Sequence, residues 1–400
     1  MKPIGERPGV AIVGCGLIGE KRFRSLGTAR LVAAADIDEA RAAALAGRQP
    51  GAVWYTDWRR AVAHPDVDIV VVATLHDHLA EITAGAIAAR RHVLVEKPAG
   101  RQPSEIPPLI EGREADDTEA LWHHVWWGLH YGGRGGPAVL ALSALDIALW
   151  DLKARRAKLP LYRLLGGFDA RVPCYAGGID LDLSVDALLT QTDGNLAKGF
   201  RAIKMKVGRP DLTSDVARVA AMRQHLGDGF PLMADANMKW TVEEAVRAAR
   251  ALQPYDLTWL EEPIIPDDVA GHARIIAAGG VPIAAGENLR SLWEFKNYIA
   301  AGAVSYPEPD VTNCGGVTSF MKIARLAEAF NLPVTSHGAH DITVHLLAAC
   351  PNRSYLEAHG FGLDRYIEHP LRLEDGKALA PTRPGHGVNF DWKGLATLSA

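Results

Sequence analysis

The sequence predicts an α/β fold in two parts: an open parallel sheet in the first hundred residues and a β/α barrel from residue 171 onward, with a helical stretch between them. Three observations predict it. Between Gly9 and Lys97, short apolar runs (VAIVG, LVAAAD, DIVVVATL, HVLVEK) alternate with helical segments. After Arg171, eight strand candidates recur at nearly regular spacing: VPCYAGG, FRAIKMKVG, FPLMADAN, LTWLEEP, VPIAAGEN, AVSYPEPD, LPVTSHGA and SYLEAHG. These later strands end in polar or charged groups, as barrel strands do where they deliver side chains to a site.

The chain is long enough for more than one domain, since 400 residues with 48% hydrophobic and 22% charged content can bury a large core. A formal net charge of −4 and the lack of any Lys/Arg run leave no basic field for a polyanion, so nucleic acid is not an expected partner. Cys15, Cys174, Cys314 and Cys350 are widely spaced and form no CxxC pair. Neither a zinc site nor a disulfide framework is indicated, and a reducing cytoplasm fits. The opening MKPIGERPGVAIVGCGLIGEK has no small-residue cleavage site. Runs such as DIVVVATL are too short for a membrane helix and read as buried strands.

In residues 1–100, Gly14, Gly16 and Gly19 stand as GCGLIG directly after the first strand and before a helix. Glycines there allow a tight turn and close approach of a pyrophosphate to the helix N-terminus. Asp36 ends the next strand, 17 residues after Gly19, where a carboxylate can accept from a ribose hydroxyl. The alternative is a parallel-sheet domain that merely keeps the turn. The segments GVAIVGCGLIG, VDIVVVATLHDHLAEI and HVLVEKPAG resemble the nucleotide-binding half of the glucose-fructose oxidoreductase and inositol dehydrogenase family. The resemblance implies a Rossmann-like domain, NAD(P) as cofactor, and Lys97 as the residue that meets substrate and nicotinamide. It also implies truncation, because the family's remaining dinucleotide strand and its substrate domain have no counterpart after Gly100.

A composition change at AGRQPSEIPP marks a boundary. Residues 101–170 are helical, with ALSALDIALWDLKARRAKLPLYRLLGG as an amphipathic run stopped by Gly166 and Gly167. Residues 171–400 hold the barrel and a C-terminal tail.

Asp235, Glu261 and Glu287 end successive barrel strands 26 residues apart. Three carboxylates converging on one rim repel one another unless a hard cation lies among them, and oxygen-only ligands point to Mg²⁺. Lys204 and Lys206 share one strand as KMK, so both point inward. Two neighbouring ammonium groups near a cation are expected to depress the pKa of at least one and leave it able to act as a base. Asp310 and His337 end strands 27 residues apart, a spacing at which a carboxylate can fix one imidazole nitrogen and raise the basicity of the other. Glu357, at the last strand end, can hydrogen-bond a substrate carboxylate. His340, His345 and His359 read as structural or peripheral.

From Val172 to about Asp391 the chain resembles the mandelate racemase subgroup of the enolase superfamily, and Glu105 to Gly167 resembles the end of that family's capping domain. The resemblance implies a (β/α)7β-type barrel with a partial helical capping region. It places Lys206 on the family's basic lysine, Lys204 on its companion, and Asp235, Glu261 and Glu287 on the metal ligands, with Glu262 as a one-residue alternative to Glu261. Asp310 with His337 falls on the dyad of the opposite face, and Glu357 on the group that binds the substrate carboxylate. The β-rich portion that begins the family's cap is replaced here by the dinucleotide-binding sequence. The implied activity is Mg²⁺-dependent removal of a proton α to a carboxylate, foremost by an acid-sugar dehydratase, a hydro-lyase. Alternatives are a racemase, a sugar-lactone cycloisomerase, or an NAD(P)-dependent oxidoreductase using the first segment. The expected partners are a small acid sugar and further copies of the chain in a homo-oligomer, with no membrane.

Overall fold

The computed structural model describes residues 7–74, 76–95, 110–130, 134–358 and 364–391. Lys97, the whole AGRQPSEIPP segment and His359 lie outside the described residues. The chain divides into two compact units, residues 1–141 and 142–400. Among the described residues no helix is long and apolar enough to cross a membrane.

The first unit holds a parallel sheet of β1 (Gly9–Val13), β2 (Arg30–Ala35), β3 (Val53–Tyr55), β4 (Ile69–Val72) and β5 (His92–Val95), in the order β3-β2-β1-β4-β5. Successive residues of β1 face opposite sides, so Ala11 and Val13 join one core and Val10 and Ile12 the other. That double burial is why these strands read as continuous apolar runs. The edge strand β3 is missing from the sequence reading, because its three residues VWY include the half-exposed Val53 and Trp54 and make no such run. Gly14 sits at φ +93°, and a Cβ there would lie 2.4 Å from the Ala73 carbonyl oxygen; at Gly19 one would lie 2.0 Å from that of Gly14. Both glycines are demanded by the fold. At Gly16, by contrast, a Cβ would meet only the end of the Arg41 side chain, at 4.0 Å.

The second unit contains all eight strands read from the sequence: β6 (Arg171–Gly177), β7 (Ile203–Lys206), β8 (Leu232–Asp235), β9 (Leu260–Glu261), β10 (Ile283–Ala285), β11 (Tyr306–Pro307), β12 (Val334–Ser336) and β13 (Arg353–Ala358). They are parallel, in the order β11-β10-β9-β8-β7-β6-β13-β12. The two ends meet through a single parallel bridge between Asp310 and His337, which closes the barrel. A hairpin of β14 (Arg372–Glu374) and β15 (Lys377–Leu379) adds antiparallel to the start of β6.

Helices between the strands start where side chains take up their first amides: Ser184, Asp211, Thr241 with Glu244, Asp268 and Ser291 each cap the helix that follows. The helix Gly316–Ala329 lacks such a cap. Buried Asp146, on the helix Pro137–Arg156, serves it instead, accepting from the Thr318 amide at 2.8 Å and hydroxyl at 2.7 Å. The lower barrel interior is filled by Tyr175, Met233, Trp259 and Ala284, packed with Tyr306 and Tyr355. The next side chains up the strands are charged.

Candidate active site

Alternate barrel strands supply one interior layer, and the ends of β7, β9, β11 and β13 place Lys204, Glu261, Glu308 and Glu357 there, all buried. The Lys204 ammonium lies 2.6 Å from Glu261, 2.8 Å from Glu357 and 3.7 Å from Asp235. Asp235 stands opposite Glu261 in register and accepts from Lys206 at 2.5 Å. His337 Nδ1 is 2.8 Å from Asp310, while its Nε2 is 3.2 Å from Glu287 and 3.7 Å from Glu357. Lys204, Lys206, Asp235, Glu261, Glu287, Asp310, His337 and Glu357 thus form one connected ionic network at the strand C-termini. Gly14, Gly16, Gly19 and Asp36 belong to the other unit. There, Asp36 accepts from the Cys15 amide at 2.7 Å and the Asp38 amide at 2.9 Å.

The network's charges follow from burial and crowding. Burial alone would lower the Lys204 pKa, but Glu261, Glu357 and Asp235 more than offset it and hold the ammonium well above its ordinary range. The expected depression is therefore not found at Lys204, because carboxylates rather than a second cation dominate its surroundings. Burial, opposed by Lys204 and reinforced by Asp235, Glu357 and Glu287, pushes Glu261 up to about 8. Burial and then Glu287 push Glu262 up to about 7. At His337 burial disfavours the imidazolium, yet the Asp310 hydrogen bond and the Glu357 and Glu287 charges outweigh it and raise the group to about 9. Asp310 is itself fixed by the Thr312 amide at 2.7 Å and hydroxyl at 2.6 Å.

Glu308 is the site residue that sequence reading misses. Tyr175 donates to one of its oxygens at 3.2 Å, the other has no hydrogen-bond partner, and burial followed by Glu261 holds its carboxyl well above the ordinary range. It lies in the strand candidate AVSYPEPD, where the terminal Asp310 drew the functional reading; the inward phase Glu308 shares with Tyr306 is the signal that could have revealed it. Glu262 adopts φ +33° and takes a 2.7 Å hydrogen bond from Asn288, which also donates to Glu287 at 3.1 Å.

The donor set is all oxygen, with Asp235 and Glu261 buried and Glu287 partly so, and Glu262 and Glu308 each keep one buried oxygen unpaired. A hard divalent cation fits that chemistry. Among the described residues no three His, Cys, Asp or Glu side chains stand in a ready coordinating cluster. Lys204 and Lys206 reach into the carboxylates and supply the neutralising charge. A cleft of about 510 Å³, lined by Leu181, Arg209, Lys239, Trp240 and Arg247 among others, opens beside the loops after β6, β7 and β8 and includes none of the network residues.

Comparison with known proteins adds to this geometry. The family described as enolase C-terminal domain-like matches residues 187–394, and the N-terminal domain of the mandelate racemase and muconate lactonizing enzyme family matches residues 73–166. The NAD-binding Rossmann fold of an oxidoreductase family matches residues 9–116. A 3,6-anhydro-α-L-galactonate cycloisomerase of Streptomyces coelicolor is 60% identical over 288 residues, covering 72% of this chain and 80% of the relative. An L-talarate/galactarate dehydratase of Salmonella typhimurium is 38% identical over 72% of this chain and 71% of its own length. Among solved structures, a Streptomyces coelicolor racemase with bound magnesium matches with a TM-score of 0.71 at 58% identity, covering 73% of this chain and 81% of that one. An L-talarate dehydratase from Polaromonas, complexed with Mg and L-glucarate, matches with a TM-score of 0.71 at 40% identity, over 74% and 82% of the two chains.

Proposed function

The chain belongs to the enolase superfamily, in its mandelate racemase and muconate lactonizing enzyme group, and from that membership we propose that it removes the proton α to the carboxylate of an acid sugar and expels the oxygen on the β-carbon. The observation that carries this reading is the connected network at the strand ends, in which Lys206 pairs with Asp235 and His337 approaches Glu287 and Glu357. Asp235, Glu261 and Glu287 would hold Mg²⁺. Bound there, the ion supplies the positive charge that an α-carbanion's carboxylate needs as it forms.

Lys206 exchanges a proton at Nζ with one face of the α-carbon. His337, oriented by Asp310, carries at Nε2 the proton that the departing oxygen takes on the other face. Lys204 stays an ammonium and holds Glu261 and Glu357 in place.

We favour ring opening of a 3,6-anhydro acid sugar. Such a substrate carries its ring ether on the β-carbon, so the α C–H and β C–O bonds break, the oxygen gains a proton, and the enol becomes a 2-keto-3-deoxy acid with no atom lost. The 60% identical cycloisomerase supports this over the hydro-lyase expected from sequence. Dehydration is the second reading, supported by the 38% identical dehydratase, and differs only in whether the leaving oxygen is tethered.

The test is a screen of 3,6-anhydro-aldonates and hexarates for 2-keto acid, with Mg²⁺ and with chelator. A Mg²⁺-dependent product of unchanged mass is expected from an anhydro acid; product lacking one water would move dehydration to first place. No 2-keto acid from either class would end the proposal.

A further inference from the structure

Lys206 is the last residue of β7, and beyond it Gly208 and Arg209 leave the sheet. Its own peptide groups are gripped from outside the ladder. The Lys206 amide donates to Asp180 Oδ1 at 2.8 Å, and its carbonyl accepts from Arg218 Nη1 at 2.7 Å. Arg218 Nη2 returns to Asp180, 2.7 Å from its carbonyl oxygen and 3.4 Å from Oδ1. One helical turn before Arg218, Asp215 accepts from the amides of Gly208 at 2.8 Å and Arg209 at 2.9 Å. Asp180, Arg218 and Asp215 are all at most 1% exposed. At Gly178 a Cβ would lie 2.0 Å from Asp180 Oδ2, so the loop after β6 has no room for a side chain where it delivers this carboxylate.

A buried ion pair is a poor device for stability, because desolvation cancels much of its attraction and apolar packing of the same volume often does as well. Apolar side chains cannot, however, bond both the amide and the carbonyl of one residue. We propose that Asp180 and Arg218 are positioning residues that clamp the Lys206 main chain and thereby aim its ammonium at one face of the substrate. The proposal rests on the reading of Lys206 as the proton carrier of that face. A displacement of about 1 Å at a reacting group can cost on the order of a hundredfold in rate, which is the scale on which such a clamp acts.

The variant that tests it is Asp180→Asn with Arg218→Met, which keeps volume and removes both charges of the pair, while Asp215 keeps its hydrogen bonds from the Gly208 and Arg209 amides. Arg218→Lys, which keeps the charge but loses the two-pronged grip, guards against misfolding of the first. Two readouts are taken on the Mg²⁺-treated full chain. By amide hydrogen exchange, Lys206 and Gly208 are expected to open about tenfold faster, while Ala234 on the neighbouring strand and Ala236 just past its end stay protected. In deuterated water, with hexarates and anhydro acids differing in configuration at the α-carbon, exchange on the Lys206 face is expected to fall roughly a hundredfold at nearly constant KM, while the His337 face keeps its rate. Equal loss on both faces would reduce the pair to a structural role and overturn the proposal, as would unchanged protection at Lys206 and Gly208 in both variants. If the parent exchanges no α-proton on any of these acids, the proposed function fails, and amide exchange alone decides whether the clamp exists.

Discussion

Lys204 and Lys206 look alike in the sequence, yet burial and neighbours divide their roles. Lys204 is enclosed by Glu261, Glu357 and Asp235 and stays charged, whereas Lys206 reaches the rim and meets Asp235. A group that relays protons must sit where substrate can reach it, so the proposed function assigns the chemistry to Lys206 and, across β6 and β13, to His337. In deuterated water, Lys206→Ala is expected to stop α-proton exchange in one configuration by at least a hundredfold. His337→Asn should stop it in the other and abolish expulsion of the β-oxygen. Retention of both exchanges and of elimination in the two variants would show that neither residue is a catalyst. Much of this site was legible because strand alternation and regular spacing bring Asp235, Glu261, Glu287, His337 and Glu357 to one rim. Asp180, Arg218 and Glu308 were not, because what defines them is burial against partners up to 133 residues away, for which no local pattern exists.

Among the elements, the C-terminal segment is tied to the body by a histidine that must stay neutral. His345, on the helix His340–Leu347, accepts from the Tyr162 amide at 3.3 Å through Nδ1, and its Nε2 lies 3.0 Å from the His386 carbonyl. Burial pushes its pKa down to about 4, against about 6.5 in an unfolded chain. The sign follows: between those values the unfolded state takes up a proton that the folded state refuses, so stability is present above about pH 6.5 and lost as pH falls toward 4. A depression of that size corresponds to roughly 3 kcal/mol once the window has been crossed. Urea unfolding at pH 7 and pH 4.5 is expected to show a smaller acid loss in His345→Asn than in the parent; equal losses would discard the idea. The strands show the same contrast between local and distant causes. The eight barrel strands were legible from their apolar runs, whereas β3 was hidden by its exposure and the remote capping of Gly316–Ala329 by Asp146 left no trace near the helix start.

On the scale of the whole molecule, two families' patterns are written in one chain, and their matches overlap between residues 73 and 116. The first unit keeps what a parallel sheet needs in order to fold: Gly14 and Gly19 where any side chain would collide with backbone, and central strands β1, β2 and β4 buried on both faces. It also keeps Gly16, where a Cβ would meet only the Arg41 guanidinium, at 4.0 Å, so packing does not demand a glycine there. Two features oppose hydride transfer. Each carboxylate oxygen of Asp36 accepts from a backbone amide, Cys15 at 2.7 Å and Asp38 at 2.9 Å, so a ribose hydroxyl would have to share it. Among the described residues the sheet ends at β5, and the sequence offers no counterpart of the oxidoreductase substrate domain with its catalytic histidine. Binding of NAD⁺ or NADP⁺ is accordingly expected to be weak, at a Kd of about 1 mM, which corresponds to about −4 kcal/mol and is what a phosphate-binding turn without a full pocket can supply. No acid sugar should drive cofactor reduction. Calorimetric titration measures the first expectation and absorbance of the reduced nicotinamide the second. Substrate-dependent reduction that Lys97→Ala abolishes would reverse the ranking of the two units and make the barrel chemistry secondary.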